Sequence, residues 1–361
     1  MFNSWFRKES PLLGWLGSGG GLAFAGGAAA KEDYAPGATA TATGGETSTP
    51  GDGYKLHIYT TTGSTAQPFT ISNPGANVGT YIDIFLIAGG GGGGGSTRSG
   101  AGGAGGAIYM PDYECDDGTD IDVYIGSGGA VGPYSSSNQA GAVGVDGQNS
   151  TFYSPTQGPA WPTTCLVALG GGRGGASDAG NTAYSGGCGG ANWYSGPPAT
   201  TSGLQAHPGN PASLPANSET YGFGGDSGTA STSPPYGSGG GGIGGDGAPA
   251  GGANPDNPIP SGGGIGKQWP QFGTANLPGY PFTPFDGKFG GGGTSADYPA
   301  HPPGGAIHNS PVAEPYGGGA GRNNLPTPGS DADCNGHNNT GGGGGSSGTG
   351  GPGLVIIRYV V

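Results

Sequence analysis

Tyr81-Ile82-Asp83-Ile84-Phe85-Leu86-Ile87-Ala88, followed without a break by Gly89 to Gly95, is the stretch that decides how this chain is built. The first eight residues are apolar at nearly every position and rich in β-branched and aromatic side chains, which reads as a buried strand. The seven glycines that follow cannot continue it as an ordinary strand, because glycine brings no side chain to pack on a sheet face. Strand running into glycine recurs along the chain. Ile121-Asp122-Val123-Tyr124-Ile125 alternates and ends in Gly126-Ser127-Gly128-Gly129, and Cys165-Leu166-Val167-Ala168-Leu169 feeds Gly170 to Gly172. Further strands are predicted at Tyr54–Tyr59, Phe69–Ile71, Ala107–Met110 and Ser150–Tyr153.

Composition sets the limits. Of 361 residues, 91 are glycine and 33 are proline, and charged residues make up only 9%. Glycine costs about 1 kcal/mol per helical position relative to alanine, so a helical domain is excluded. The glycines keep no strict every-third register, which excludes collagen. The net charge of −13, from 10 basic and 23 acidic residues, leaves no basic surface for phosphates, so no nucleic-acid partner is expected. No stretch of about 20 mainly apolar residues is present, so no membrane span is expected either.

Runs of three or more glycines occur at 19–21, 89–95, 170–172, 239–242, 262–264, 290–293, 317–319 and 341–345. After the first, turn-rich inserts separate them, a pattern of repeated rods joined by loops. Three packings are open: polyproline-II-like glycine rods bonded to one another, glycine-rich sheet, or irregular coil held by neighbours. Rods have three residues per turn and about 3.1 Å rise, with peptide groups pointing outward all round. Without Cβ atoms they can lie close together.

The predicted organisation is a docking peptide at 1–30, a linker at 31–52, a β-rich domain at 53–169, a glycine-rich loop and rod body at 170–350, and a C-terminal strand at 351–361 that returns to the sheet. The fold class is mostly β, a small antiparallel domain plus glycine rods, with almost no helix. In the first segment Phe2, Trp5, Phe6, Leu12, Leu13, Trp15 and Leu16 are too many large apolar groups for so short a piece to bury itself. They read as anchors for a partner surface in a larger assembly. A signal-peptide reading is opposed by the glycines that cut the apolar stretch.

In the body, scarce aromatics beside polar residues mark candidate recognition loops: Trp193, Tyr194, Trp269, Phe272, Tyr280, Phe282, Phe285, Asn335 and His337. Loops on a rigid scaffold are where recognition concentrates, and such residues suit carbohydrate or protein faces. The competing reading is that these aromatics cover the rods. No catalytic residue and no cofactor or metal site is predicted. Glycine motifs recur by composition alone, no Ser or Thr follows Gly266-Lys267 to make a phosphate loop, and five histidines lie scattered. The acidic stretch from Asp112 to Asp122 lacks the order of a calcium loop and reads equally as a solvated turn. Cys115, Cys165, Cys188 and Cys334 contain no C-x-x-C pair; they read as small buried thiols, and three disulfide pairings would also be possible.

Taken in order, IDIFLIAGGGGGGG (82–95), GAGGAGGAIYM (100–110), IDVYIGSGG (121–129), DGQNSTFY (146–153), LVALGGGRGG (166–175) and GGPGLVIIRYVV (350–361) resemble the glycine-rich domain of bacteriophage tail fibres and related virion adhesins. The resemblance spans about 53–361 and departs from the family at 176–349, where prolines and aromatics interrupt the glycine. It implies polyglycine-II bundles and a structural virion protein in the extracellular particle. Its partners would be other virion proteins and a host-surface glycan or protein, with a homotrimer suspected. A capsid decoration or head-fibre protein is the alternative, and a non-viral extracellular structural protein the third.

Overall fold

A computed structural model describes residues 41–50, 53–72, 80–95, 99–115, 118–133, 143–154, 165–176, 182–193, 200–205, 222–232, 235–249, 262–273, 276, 286–295, 316–319, 321 and 334–361. All belong to one compact unit that runs to the C-terminus. The strands are β1 (Thr41–Thr43), β2 (Glu46–Ser48), β3 (Tyr54–Tyr59), β4 (Gln67–Ser72), β5 (Thr80–Ile87), β6 (Ala107–Cys115), β7 (Asp120–Tyr124), β8 (Ser150–Tyr153), β9 (Cys165–Ala168), β10 (Gly222–Phe223), β11 (Ser231–Thr232), β12 (Pro235–Tyr236), β13 (Lys267–Gln268), β14 (Lys288–Phe289) and β15 (Leu354–Val360). A 3-10 turn, Pro270–Phe272, accompanies them among the described residues.

Two antiparallel sheets form the base. One has the order β10-β6-β5-β15-β3-β2 and the other β1-β4-β7-β8-β9. Ile82, Ile84 and Leu86 of β5, Val355 and Ile357 of β15, and Tyr59 of β3 face Phe69, Ile121, Val123, Phe152 and Leu166 of the second sheet in one buried cluster. The opposite face of the first sheet is also covered. Phe85 and Ile87, Leu354 and Ile356, and Leu56 and Ile58 pack under Phe223, Ile243, Trp269, Phe272 and Phe289. A sheet buried on both faces needs strands that are apolar throughout, and that is why IDIFLI and LVII carry no clean alternation. The C-terminal strand does return to the sheet. It lies at its centre, pairing with β5 (Ile356↔Phe85) and with β3 (Ile356↔Ile58).

Hydrogen bonding decides among the three glycine packings. The N–H groups of Gly89 and Gly92 donate to Gln148 and Val145, those of Gly90 and Gly93 to Gly351 and Gly348, and those of Gly91 and Gly94 to Gly103 and Gly100. The carbonyls follow the same rule. Gly89 and Gly92 accept from Gly171 and Gly174, Gly90 and Gly93 from Gly129 and Gly132, and Gly91 and Gly94 from Gly344 and Ser347. Every third residue therefore meets the same neighbour, and three donating directions plus three accepting directions surround the rod with six neighbours. A β-strand, with period 2, could bond only two. This is polyglycine-II packing. The segment 100–106 repeats it, with Gly100, Gly103 and Gly106 donating to Gly175, Gly172 and Leu169.

The sequence carries a mark of this period in Gly100-Ala101-Gly102-Gly103-Ala104-Gly105-Gly106-Ala107, where alanine returns every third residue. All three alanines are fully buried. Elsewhere the rods need glycine for space. A Cβ on Gly91 would fall within 3.0 Å of the Gly172 carbonyl, and one on Gly102 within 3.0 Å of the Gly91 carbonyl.

Two expected boundaries change. The linker predicted at 31–52 contains β1 and β2, which pair with β4 and β3. Small threonines there read as linker, yet they serve as short edge strands. The β domain and the rod body are also not separate: rods 88–95 and 100–106 of the first interleave with 341–351 of the second.

Candidate binding surface at the rod ends

The rods prolong the strands. Ala88 follows β5, Gly126 follows β7 by two residues, Leu169 follows β9, and Gly106 and Gly353 lead into β6 and β15. All of these lie at the sheet end of the bundle. The far end is fixed by another set of bonds: Gly94 N–H to Gly100, Gly132 N–H to Gly93, Gly175 N–H to Ala191, and Ser347 N–H to Gly94. Ala101 N–H donates to Ser295 Oγ at 3.1 Å, and Gly321 N–H donates to Thr294 Oγ1. The described residues on either side of 96–98, 134–142, 177–181, 194–199, 250–261 and 322–333 therefore stand at this outer end. These flanking residues belong to a scaffold whose peptide groups are already paired.

Among the described residues, the predicted recognition residues are not brought together. Trp193 stands at the outer end but is buried, with its ring edge against Gly237. Trp269 and Phe272 lie at the sheet end, with ring centroids 4.6 and 5.5 Å from that of Phe85. These three are corrected from exposed recognition groups to buried ones. The large apolar area of Trp269 and Phe272 finds the second face of the sheet, which sequence alone had left uncovered, and Trp193 packs on the rods. Asn335 is half-buried and its Oδ1 accepts from Thr349 N–H at 2.9 Å, so it braces a rod. His337 is exposed; its N–H donates to Gly317 and its carbonyl accepts from Thr340 Oγ1 at 2.8 Å. Tyr194, Tyr280, Phe282 and Phe285 lie outside the described residues. So do Phe2, Trp5, Phe6, Leu12, Leu13, Trp15 and Leu16 of the predicted docking peptide.

The profile of a family described as a glycine-rich domain matches residues 60–360. The chain belongs to this glycine-rich domain family. The comparison with curated proteins found no match. The match covers both the sheets and the rods, in keeping with their single compact body.

Polar groups inside this glycine-rich domain hold it together. Arg358 and Asp83 are directly opposed on β15 and β5, and Asp83 Oδ2 accepts from Arg358 Nη2 at 2.8 Å and Nε at 3.2 Å. Asp83 Oδ1 accepts from Asp112 N–H at 3.1 Å, and the guanidinium lies 4.2 Å from the centre of the Tyr54 ring. His57 is fully buried, with Nδ1 2.6 Å from the Gly44 carbonyl and Nε2 3.4 Å from the Tyr359 hydroxyl. Burial lowers its pKa, outweighing the bond to Gly44, which raises it. Cys188 is a fully buried thiol pushed up to about 12 by burial, so it is inert at neutral pH. Cys115 and Cys334 are also buried thiols.

A lateral feature escaped the sequence reading. Tyr184 is half exposed, and Arg173 stacks 3.8 Å over its ring while its backbone N–H donates to Asp146 Oδ1 at 2.9 Å. The LVALGGGRGG string already placed an arginine among glycines, and an arginine there has to leave the bundle. Among the described residues no helix is long and apolar enough to cross a membrane, and no cluster of three or more His, Cys, Asp or Glu side chains is placed to hold a metal.

Proposed function

We propose that this chain is a structural, non-enzymatic virion protein, a bacteriophage tail-fibre or tail-tip adhesin. It docks through its N-terminal aromatic segment and presents the connections at the outer rod end to the host surface. The reading rests on one observation above others. A bundle whose rods bond in six directions is a rigid support, and described residues that flank several of the side-chain-rich connections meet at one end of it. Rigid supports with variable ends are the form recognition proteins take. The ordered motif resemblance adds the particle context, and with it the expectation of a homotrimer with other virion proteins and a host-surface glycan or protein as partners.

The test has two parts. Gold-labelled antibody to the chain is imaged on purified particles; label at the tail is expected, label on the shell makes the protein a capsid decoration, and no label on any particle overturns the reading. Then 322–333 and 194–199 are each replaced by Gly-Ser linkers of equal length. Particle incorporation is expected to persist while host adsorption falls. Unchanged adsorption in both would leave the bundle without a recognition role. Native mass measurement of the purified chain tests the trimer, which a stable monomer would contradict.

A further inference from the structure

A pocket of about 430 Å³ opens at the sheet end of the bundle, where β10 meets the turn at Gly242–Gly245. Its walls include Phe223, Gly224, Gly225, Ile243, Asp246 and Lys267. Among the described residues β10 is an edge strand that pairs only with β6, and its other side borders the pocket. The volume lies within the range of small-molecule sites, about 300–1,000 Å³.

The groups on the wall are unusual for a chain so short of positive charge. Lys267 has no ion-pair partner among the described residues. Its ammonium is held over the Phe223 ring, 4.3 Å from the centroid, and stands 6.0 Å from that of Trp269. The rings position the charge without neutralising it. The N–H of Gly224 donates to no backbone carbonyl among the described residues, although nearly every rod glycine beside it does, whereas the N–H of Gly225 is turned to the buried Cys188 sulfur. Asp246 is fixed in place as well: its Oδ1 accepts from Asp226 N–H at 2.9 Å, and Asp226 Oδ1 in turn accepts from Gly203 N–H at 2.8 Å. An unpaired ammonium on the pocket wall calls for an anionic acceptor. One oriented carboxylate beside it calls for hydroxyl donors. A ring bearing a carboxylate and several hydroxyls supplies both.

We propose that this pocket binds a carboxylated sugar, a hexuronate or its like, with Lys267 facing the carboxylate and Asp246 accepting from ring hydroxyls. The proposal rests on the surface-binding reading above and names the ligand class for one site. Glucuronate and glucose are titrated into the purified full chain by saturation-transfer NMR. Glucuronate is expected to bind and glucose to bind at least tenfold more weakly, because glucose lacks the charge-assisted bond. Lys267→Met should abolish the glucuronate signal, Lys267→Arg should restore most of it, and Asp246→Asn should weaken it severalfold, with all three retaining the wild-type Tm within a few degrees.

No glucuronate binding by the wild type, equal binding of glucose, or unchanged binding in Lys267→Met each overturns the proposal. A Lys267→Met chain that fails to fold leaves the glucose comparison and Asp246→Asn to decide. Particle labelling is independent of these titrations. A chain absent from virions that still binds glucuronate would sink the virion reading and spare the pocket.

Discussion

Single residues in this protein act mainly through space and charge state. Gly91 sits in a rod where a Cβ would strike the Gly172 carbonyl. Gly91→Ala should therefore destabilise by about 1–3 kcal/mol, the cost of overpacking a rigid interior, whereas Val145→Ala on an exposed rod should stay within about 0.5 kcal/mol. Urea titration of both variants checks this, and equal losses would contradict the six-neighbour packing. His57 gives a pH dependence whose sign follows from its lowered pKa. The unfolded chain binds a proton below about pH 6.5, while the folded chain resists it. Stability is then fully present above that pH and is lost as pH falls below the unfolded value. His57→Asn keeps a donor for the Gly44 carbonyl without the titration, so its urea midpoint should fall less between pH 7 and pH 5 than the wild type's.

At the scale of elements, the first sheet depends on both of its faces and on its centre. Trp269→Ala removes the largest cover from Phe85 and should cost about 3–5 kcal/mol, seen as a large drop in Tm. A variant with unchanged Tm and altered surface binding would restore Trp269 to the recognition residues. Asp83 and Arg358 tie β5 to β15 near their ends, and both are largely shielded from water. Arg358→Ala leaves the Asp83 carboxylate with only the Asp112 N–H named above and should cost about 2–3 kcal/mol. In a double-mutant cycle with Asp83→Ala, most of that loss should disappear, and strictly additive losses would show that the pair is not coupled. The rods differ from strands in kind: they have almost no side chains to bury, so their stability lies in paired peptide groups. An N–H left unpaired there costs about 1–3 kcal/mol, which makes each rod dependent on all of its neighbours.

For the whole molecule, that dependence predicts cooperativity from end to end. Truncation after Thr349 removes a rod neighbour of 88–95 and the central strand β15 together. It should yield no folded species by circular dichroism or by amide exchange, and a folded, truncated chain would refute the single-body architecture. In the intact chain, amides of 88–95 and 341–345 should be among the slowest to exchange. Much of this was legible beforehand. Apolar runs at 81–88 and 354–359 reveal buried strands, glycine abundance excludes helix, and ordered motifs point to the family, because these are local properties of backbone and side-chain type. The rest was not, because it depends on partners far apart in the chain. Nothing local says that Gly91 bonds Gly103 and Gly344, that β1 and β2 rise from what reads as linker, or that Trp269 and Phe272 face inward onto Phe85. The pocket likewise joins Phe223, Asp246 and Lys267 from three separate segments. The sequence by itself determined that this chain is β strands interrupted by glycine runs and not helix, since glycine disfavours helix and apolar β-branched runs favour strand. Only the tertiary structure decided which rods meet and which aromatics remain outside, because peptide groups are chemically alike and their pairing is settled by closure of the whole bundle.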